Sequence, residues 1–106
     1  EQKAIQYAVG KGVLVVCAAG NECDDHAGYP AAYEECVAVS ALRQGNLFEA
    51  WYSNYGPEVD ISAPGSSIYS TYPGSSYASG TGTSMATPQV SGVAALIKAN
   101  SPSVTV

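Results

Sequence analysis

The chain has 106 residues, of which 46% are hydrophobic and 12% charged, with a net charge of −5 and a pI near 4.4. That composition suits one small globular unit, and its acidic balance argues against nucleic acid or an anionic membrane surface as a partner. No run approaches the roughly 18–20 apolar residues of a membrane span, and the chain opens at Glu1 in what reads as mid-helix, so the lack of a signal peptide leaves the compartment open.

Ile5, Ala8 and Val9 fall at the spacing of an amphipathic helix, which predicts helix over Gln2–Val9, ended by Gly10 and Gly12. The continuous apolar run Val13–Ala18 then predicts a strand buried on both faces of a parallel sheet. Ala19–Glu35 reads as a polar loop and Cys36–Ala41 as a second buried strand. Between Leu42 and Ala63 the pattern is weaker: Phe48–Tyr52 and Val59–Ile61 are candidate short strands, separated by the turn composition of Ser53–Pro57. Ser67–Tyr72 reads as an edge strand and Gly74–Thr83 as a flexible Gly/Ser loop. Val90, Val93, Ala94 and Ile97 predict a helix over Gln89–Ala99, with Pro88 near its first turn and Asn100-Ser101-Pro102 as its stop. Helix, glycine turn and buried strand together give an α/β rhythm in one domain, residues 1–106, without repeats or linkers.

Three cysteines are present. Cys17, inside an apolar run, reads as a small buried hydrophobe. Cys23 and Cys36 flank a polar loop and are either a disulfide suited to an oxidising compartment or two free thiols. No CxxC pair or histidine cluster supports a metal centre there.

The richest chemical signal is Gly82-Thr83-Ser84-Met85-Ala86-Thr87-Pro88, which places a serine between a glycine-rich loop and an apolar helix. A serine hydroxyl is a weak nucleophile until a base and an oxyanion site converge on it. At a helix entrance it lies among unpaired backbone N–H groups and the positive end of the helix dipole, which can support a developing oxyanion. Ser84 is therefore a candidate nucleophile.

This segment resembles the nucleophile motif of the subtilisin-like serine proteases. Ala18-Ala19-Gly20-Asn21-Glu22, with Asn21 63 positions before Ser84, resembles the segment that carries that family's oxyanion asparagine. Gly28-Tyr29-Pro30-Ala31 and Val59-Asp60-Ile61-Ser62-Ala63-Pro64-Gly65 resemble further family segments in the same order. The resemblance implies a three-layer, parallel-sheet α/β fold, incomplete here, with its first strands and helices upstream and its C-terminus cut short. It implies a serine endopeptidase that acts on polypeptide substrates through an acyl-enzyme on Ser84, with the Asn21 amide and the Ser84 N–H in the oxyanion hole. A neutral amide suits an oxygen that becomes negative only in the transition state. Ala18, Ala19, Gly20 and Gly28 would line the substrate pocket, and Glu22 at its rim would tolerate a basic side chain. Met85 is either an oxidation-sensitive sulfur or simple packing. No cofactor is needed for the chemistry; a structural calcium would use Asp60 with carbonyls from about Glu34–Cys36. Gln89 and Thr81 depart from the residues usual in the family, without removing a catalytic atom.

The triad's base and its orienting carboxylate are expected upstream of Asn21, in a segment this chain lacks. The sole histidine, His26, follows Asn21, lies beside Asp24 and Asp25, and reads as a solvated loop residue. The expectation is thus a secreted or extracytoplasmic protease whose missing N-terminal part is needed for activity and stability. The alternative is a degenerate, non-catalytic domain that serves as a binding module.

Overall fold

The computed structural model describes residues 1–105. Helix α1 spans Gln2–Gly10, and strand β1 spans Val16–Ala18. β2 (Val37–Arg43), β3 (Leu47–Phe48), β4 (Ile61–Pro64), β5 (Ile68–Tyr72), β6 (Ser76–Gly80) and helix α2 (Thr83–Asn100) follow. β2 is central. It pairs in parallel with β1, Val16 opposite Val37, and in parallel with β4, Val39 opposite Ile61. β3 folds back antiparallel on the end of β2, and β5 and β6 form a separate antiparallel hairpin. Helix α2 packs across β1, β2 and β4, giving the α/β architecture that the residue pattern predicted.

The core is built from small residues. One cluster joins Ala19, Ala27, Ala31 and Ala38; the other joins Val39, Ala41, Ala63 and Ala86. Ala86 is how α2 sits on the sheet, since its methyl lets the helix approach β2 and β4 closely. Val39, wholly buried at the sheet centre, contributes about 1.5–3 kcal/mol. The Ser40 and Ser62 hydroxyls satisfy each other at 2.6 Å across the β2–β4 pair. Gln6 and Gln2 donate to Glu35, tying α1 to the segment before β2. The bond from Gln6 is the chief cause that holds the Glu35 carboxyl below the usual carboxylate range.

Several predicted boundaries move, each for a physical reason. The strand expected over Val13–Ala18 is confined to Val16–Ala18, and it is only half-buried. β1 pairs on one edge alone among the described residues, and Val13 and Leu14 stay exposed. The strand expected over Phe48–Tyr52 ends at Phe48, because the chain turns at Glu49–Tyr52; the Glu49 side chain is buried and accepts from Ser66 at 2.7 Å. The strand expected over Val59–Ile61 lies instead at Ile61–Pro64. Part of the loop expected over Gly74–Thr83 is strand β6, which pairs with β5 after a turn with positive φ at Gly74 and Ser75. Its Ser, Tyr, Ala and Gly residues carry no apolar alternation. Its partner strand defines it.

The helix expected over Gln89–Ala99 begins six residues earlier, at Thr83. Ser84 therefore lies inside the first turn. Pro88 stands within the helix and offers no N–H to the Ser84 carbonyl. Side chains reinforce this turn: Thr87 Oγ1 donates to the Thr83 carbonyl at 2.9 Å and Gln89 Nε2 to the Met85 carbonyl at 3.3 Å.

Candidate active site

The start of α2 is fixed by a residue far away in sequence. Gly82 precedes the helix at φ 154°, a conformation open to glycine, and contributes no side-chain cap. The first helical N–H, that of Thr83, instead donates to Asn21 Oδ1 at 2.8 Å. Thr83 Oγ1 donates to the same oxygen at 2.9 Å and accepts from the Gly20 N–H at 3.3 Å. Thr83 is wholly buried while Asn21 is exposed, so these bonds are partly shielded from water.

This geometry fixes the orientation of the Asn21 carboxamide. A backbone N–H can only donate, so the group facing Thr83 must be the amide oxygen. The Asn21 NH₂ is then turned away and has no hydrogen-bond partner among the described residues, and neither has the Ser84 N–H. Two unused donors thus lie at the start of α2, where the Ser84 side chain is exposed: the Ser84 N–H and the NH₂ of the residue that caps the helix. Such a pair can accept the negative charge that develops on an oxygen near Ser84 Oγ.

The remaining predicted residues occupy distinct places. Ala18 and Gly20 are half-buried beside Asn21, while Ala19 is wholly buried with its methyl in the core. Gly28 joins this segment by donating its N–H to the Ala19 carbonyl at 2.8 Å. Glu22 is not a free charge at a pocket rim. Its Oε2 folds back to accept from the Asn21 N–H at 2.8 Å and from Asn54 Nδ2 at 3.0 Å. Met85 is half-buried against Gly80. Gln89 donates to the Pro64 carbonyl at 2.6 Å, and Thr81 accepts from the Ser67 N–H at 2.9 Å, so both departures from the family pattern do structural tasks.

His26 is not brought to Ser84. Its ring meets Asp25 at 3.3 Å, is 63% exposed and shares no hydrogen bond with Ser84 among the described residues. The cysteines are all free thiols. Cys23 Sγ turns to the Ala50 carbonyl at 3.2 Å, whereas Cys36 is buried beside Cys17. Burial, the Cys17 thiol and nearby carboxylates push Cys36 up to about 12.

Asp60 lines a cavity of about 260 Å³ together with Glu34, Cys36 and Glu58. Its Oδ2 accepts from the Ala38 N–H at 2.8 Å. No cluster of three His, Cys, Asp or Glu side chains forms a metal centre among the described residues.

One residue close to the site was not legible as such. Asn54 lies in a stretch with plain turn composition, yet it is buried against the Asn21 loop and hydrogen-bonds to it. A Ser-Asn-Tyr-Gly turn gives no local sign that its asparagine points inward.

Comparisons with known proteins place the chain in a family. The Subtilase family model matches residues 1–106. The chain is similar to M-protease of Shouchella clausii (strain KSM-K16), 52% identical over 96% of this chain and 27% of that protein. It is 51% identical to Subtilisin BL of Lederbergia lenta over 96% of this chain and 38% of the relative. With Thermitase of Thermoactinomyces vulgaris it shares 53% identity over 91% of this chain and 34% of the relative. The chain therefore spans between a quarter and two fifths of the length of these relatives. With a family match along its whole length and half its residues identical to those of named subtilisins, the chain belongs to the subtilase family.

Proposed function

We propose that the protein carrying this chain is a serine endopeptidase that hydrolyses peptide bonds through an acyl-enzyme on Ser84. The observation that carries this reading is the double hydrogen bond from Thr83 to Asn21 Oδ1, which leaves the Asn21 NH₂ free at the helix start that carries Ser84 and its own unpaired N–H. Ser84 Oγ attacks the carbonyl carbon of the scissile peptide, and its proton passes to a histidine base. The carbonyl oxygen becomes negative and takes hydrogen bonds from the two donors. Collapse of this intermediate expels the amine, which leaves with the proton. Water then repeats the cycle on the acyl-enzyme and restores the Ser84 hydroxyl.

The base and its orienting carboxylate belong, in this reading, to parts of the protein outside these 106 residues, because His26 faces Asp25 instead. Ala18, Gly20 and the backbone around Ala19 and Gly28 form the wall for the substrate side chain. The acidic balance fits a secreted or extracytoplasmic location, and no described helix is long and apolar enough to cross a membrane. A structural calcium ion, which would neutralise local carboxylates, would be held by Asp60 with carbonyls near Glu34–Cys36.

Labelling with a fluorophosphonate tests the proposal. Ser84 should be labelled in the full-length protein and not in these 106 residues alone, nor in a full-length Ser84→Ala variant. Absence of labelling in the folded full-length protein would overturn the protease reading and leave the binding-module alternative.

A further inference from the structure

Asn54 is 2% exposed, and its side chain spends its entire hydrogen-bonding capacity on one loop. A carboxamide offers two N–H donors and two acceptor positions. Nδ2 donates to the Ala19 carbonyl at 3.1 Å and to Glu22 Oε2 at 3.0 Å. Oδ1 accepts from the N–H of Glu22 at 2.9 Å and of Asp24 at 3.1 Å. The backbone N–H of Asn54 adds a fifth bond, to the Gly20 carbonyl at 3.0 Å. Because the Glu22 and Asp24 amides can only donate, the orientation of the Asn54 amide is fixed.

These bonds grip residues 19, 20, 22 and 24, and so hold the chain on both sides of Asn21. The grip reaches Asn21 itself through Glu22, whose Oε2 accepts both Asn54 Nδ2 and the Asn21 N–H. Thr83 then sets the Asn21 side chain from the opposite side. Backbone held by Asn54, carboxamide held by Thr83: neither alone defines where the Asn21 NH₂ points. A buried amide is costly unless every polar atom is satisfied. Here all are satisfied within the loop that carries the oxyanion donor, and none of these side-chain bonds goes to a core strand.

We infer that Asn54 is a positioning residue for oxyanion stabilisation, acting through Glu22 on the placement of Asn21. This rests on the reading of Asn21 as an oxyanion donor. Asn54→Asp is nearly isosteric, yet it removes both Nδ2 donors and sets a carboxylate against Glu22. Misplacement of a catalytic donor by around 1 Å costs up to about a hundredfold in rate.

The experiment pairs kinetics with amide hydrogen exchange in the full-length protein, with active sites counted by fluorophosphonate titration. In Asn54→Asp, kcat per titrated site should fall about tenfold to hundredfold with KM changed less than about twofold. The Thr83 N–H, whose acceptor is Asn21, should exchange faster than in the parent protein. In an Asn21→Ala background the same Asn54 substitution should change kcat less than about twofold, since both act through one donor. Unchanged Thr83 exchange, or an equal kcat loss in the Asn21→Ala background, would overturn the inference. If Asn21→Ala itself leaves kcat intact, the oxyanion reading is what fails, and Thr83 exchange alone decides whether Asn54 places Asn21. Should Asn54→Asp not fold, Asn54→Ser carries the same comparison with a smaller, uncharged side chain.

Discussion

Thr83 donates twice to a single oxygen of Asn21, from its backbone N–H at 2.8 Å and its hydroxyl at 2.9 Å, across 62 positions of sequence. The pair does two things together. It caps a helix whose own N-cap, Gly82, has no side chain to offer. It also turns the Asn21 NH₂ away from Thr83, leaving it as the donor that the proposed mechanism uses.

Replacing Thr83 tests the second effect separately from the first. Thr83→Val keeps the backbone bond and the side-chain volume but removes the hydroxyl, leaving the Gly20 N–H without its 3.3 Å acceptor. The expected cost is about 1–3 kcal/mol of stability, with kcat of the full-length protein falling several-fold and KM nearly constant. Thr83→Ser should recover most of the loss. Urea midpoints and steady-state kinetics on the three proteins check this.

Removing the donor itself should have the larger kinetic effect. Asn21→Ala in the full-length protein is expected to lower kcat about 10²–10³-fold, the range established with subtilisin itself. KM should change little, because a neutral amide contributes mainly once the oxygen carries charge. Kinetics on a soluble peptide substrate give both parameters.

Gly20 should tolerate no side chain. It sits at φ +113°, and a Cβ there would collide with Asn54 Nδ2 and lie 2.6 Å from Glu22 Oε2. Gly20→Ala therefore strains the backbone and breaks the clamp on Asn21, at about 1–3 kcal/mol for the conformation alone. A lowered denaturation midpoint together with loss of kcat is the expected result. Gly12→Ala has open space around its Cβ at a similarly positive φ, and should lower stability without affecting kcat.

The thiols should differ sharply in reactivity. Cys23 is exposed, while Cys36 is buried with its ionisation pushed up to about 12. At pH 8 a maleimide should modify Cys23 first and Cys36 only on unfolding, as peptide mapping by mass spectrometry would show. The sign of the stability effect follows from the same shift. The folded state keeps the Cys36 proton to higher pH than the unfolded chain, whose thiol ionises near 9.0. This contribution is complete below about pH 9 and is lost as pH rises toward 12. Cys36→Ala should flatten the alkaline limb of the stability curve over that window.

The alternation of helix and apolar run marked α1, β1, β2 and α2, because each carries its own apolar spacing or run within a short contiguous stretch. It did not mark β6, whose Ser, Tyr and Gly residues become a strand only by pairing with β5. Nor did it set the true start of α2, since Thr83–Thr87 has no apolar period and the cap comes from a distant loop.

By itself the sequence determined the family and singled out Ser84 and Asn21 as candidate nucleophile and oxyanion donor, all carried by short contiguous motifs. Only the tertiary structure decided which way the Asn21 amide faces, that the Glu22 carboxylate bonds to Asn54, and that Asn54 holds the loop. Those outcomes depend chiefly on hydrogen bonds between residues 30 to 62 positions apart. A buried, fully bonded asparagine and a solvated turn asparagine look alike in one dimension. Directional donors and acceptors distinguish them, and only the folded chain brings those together.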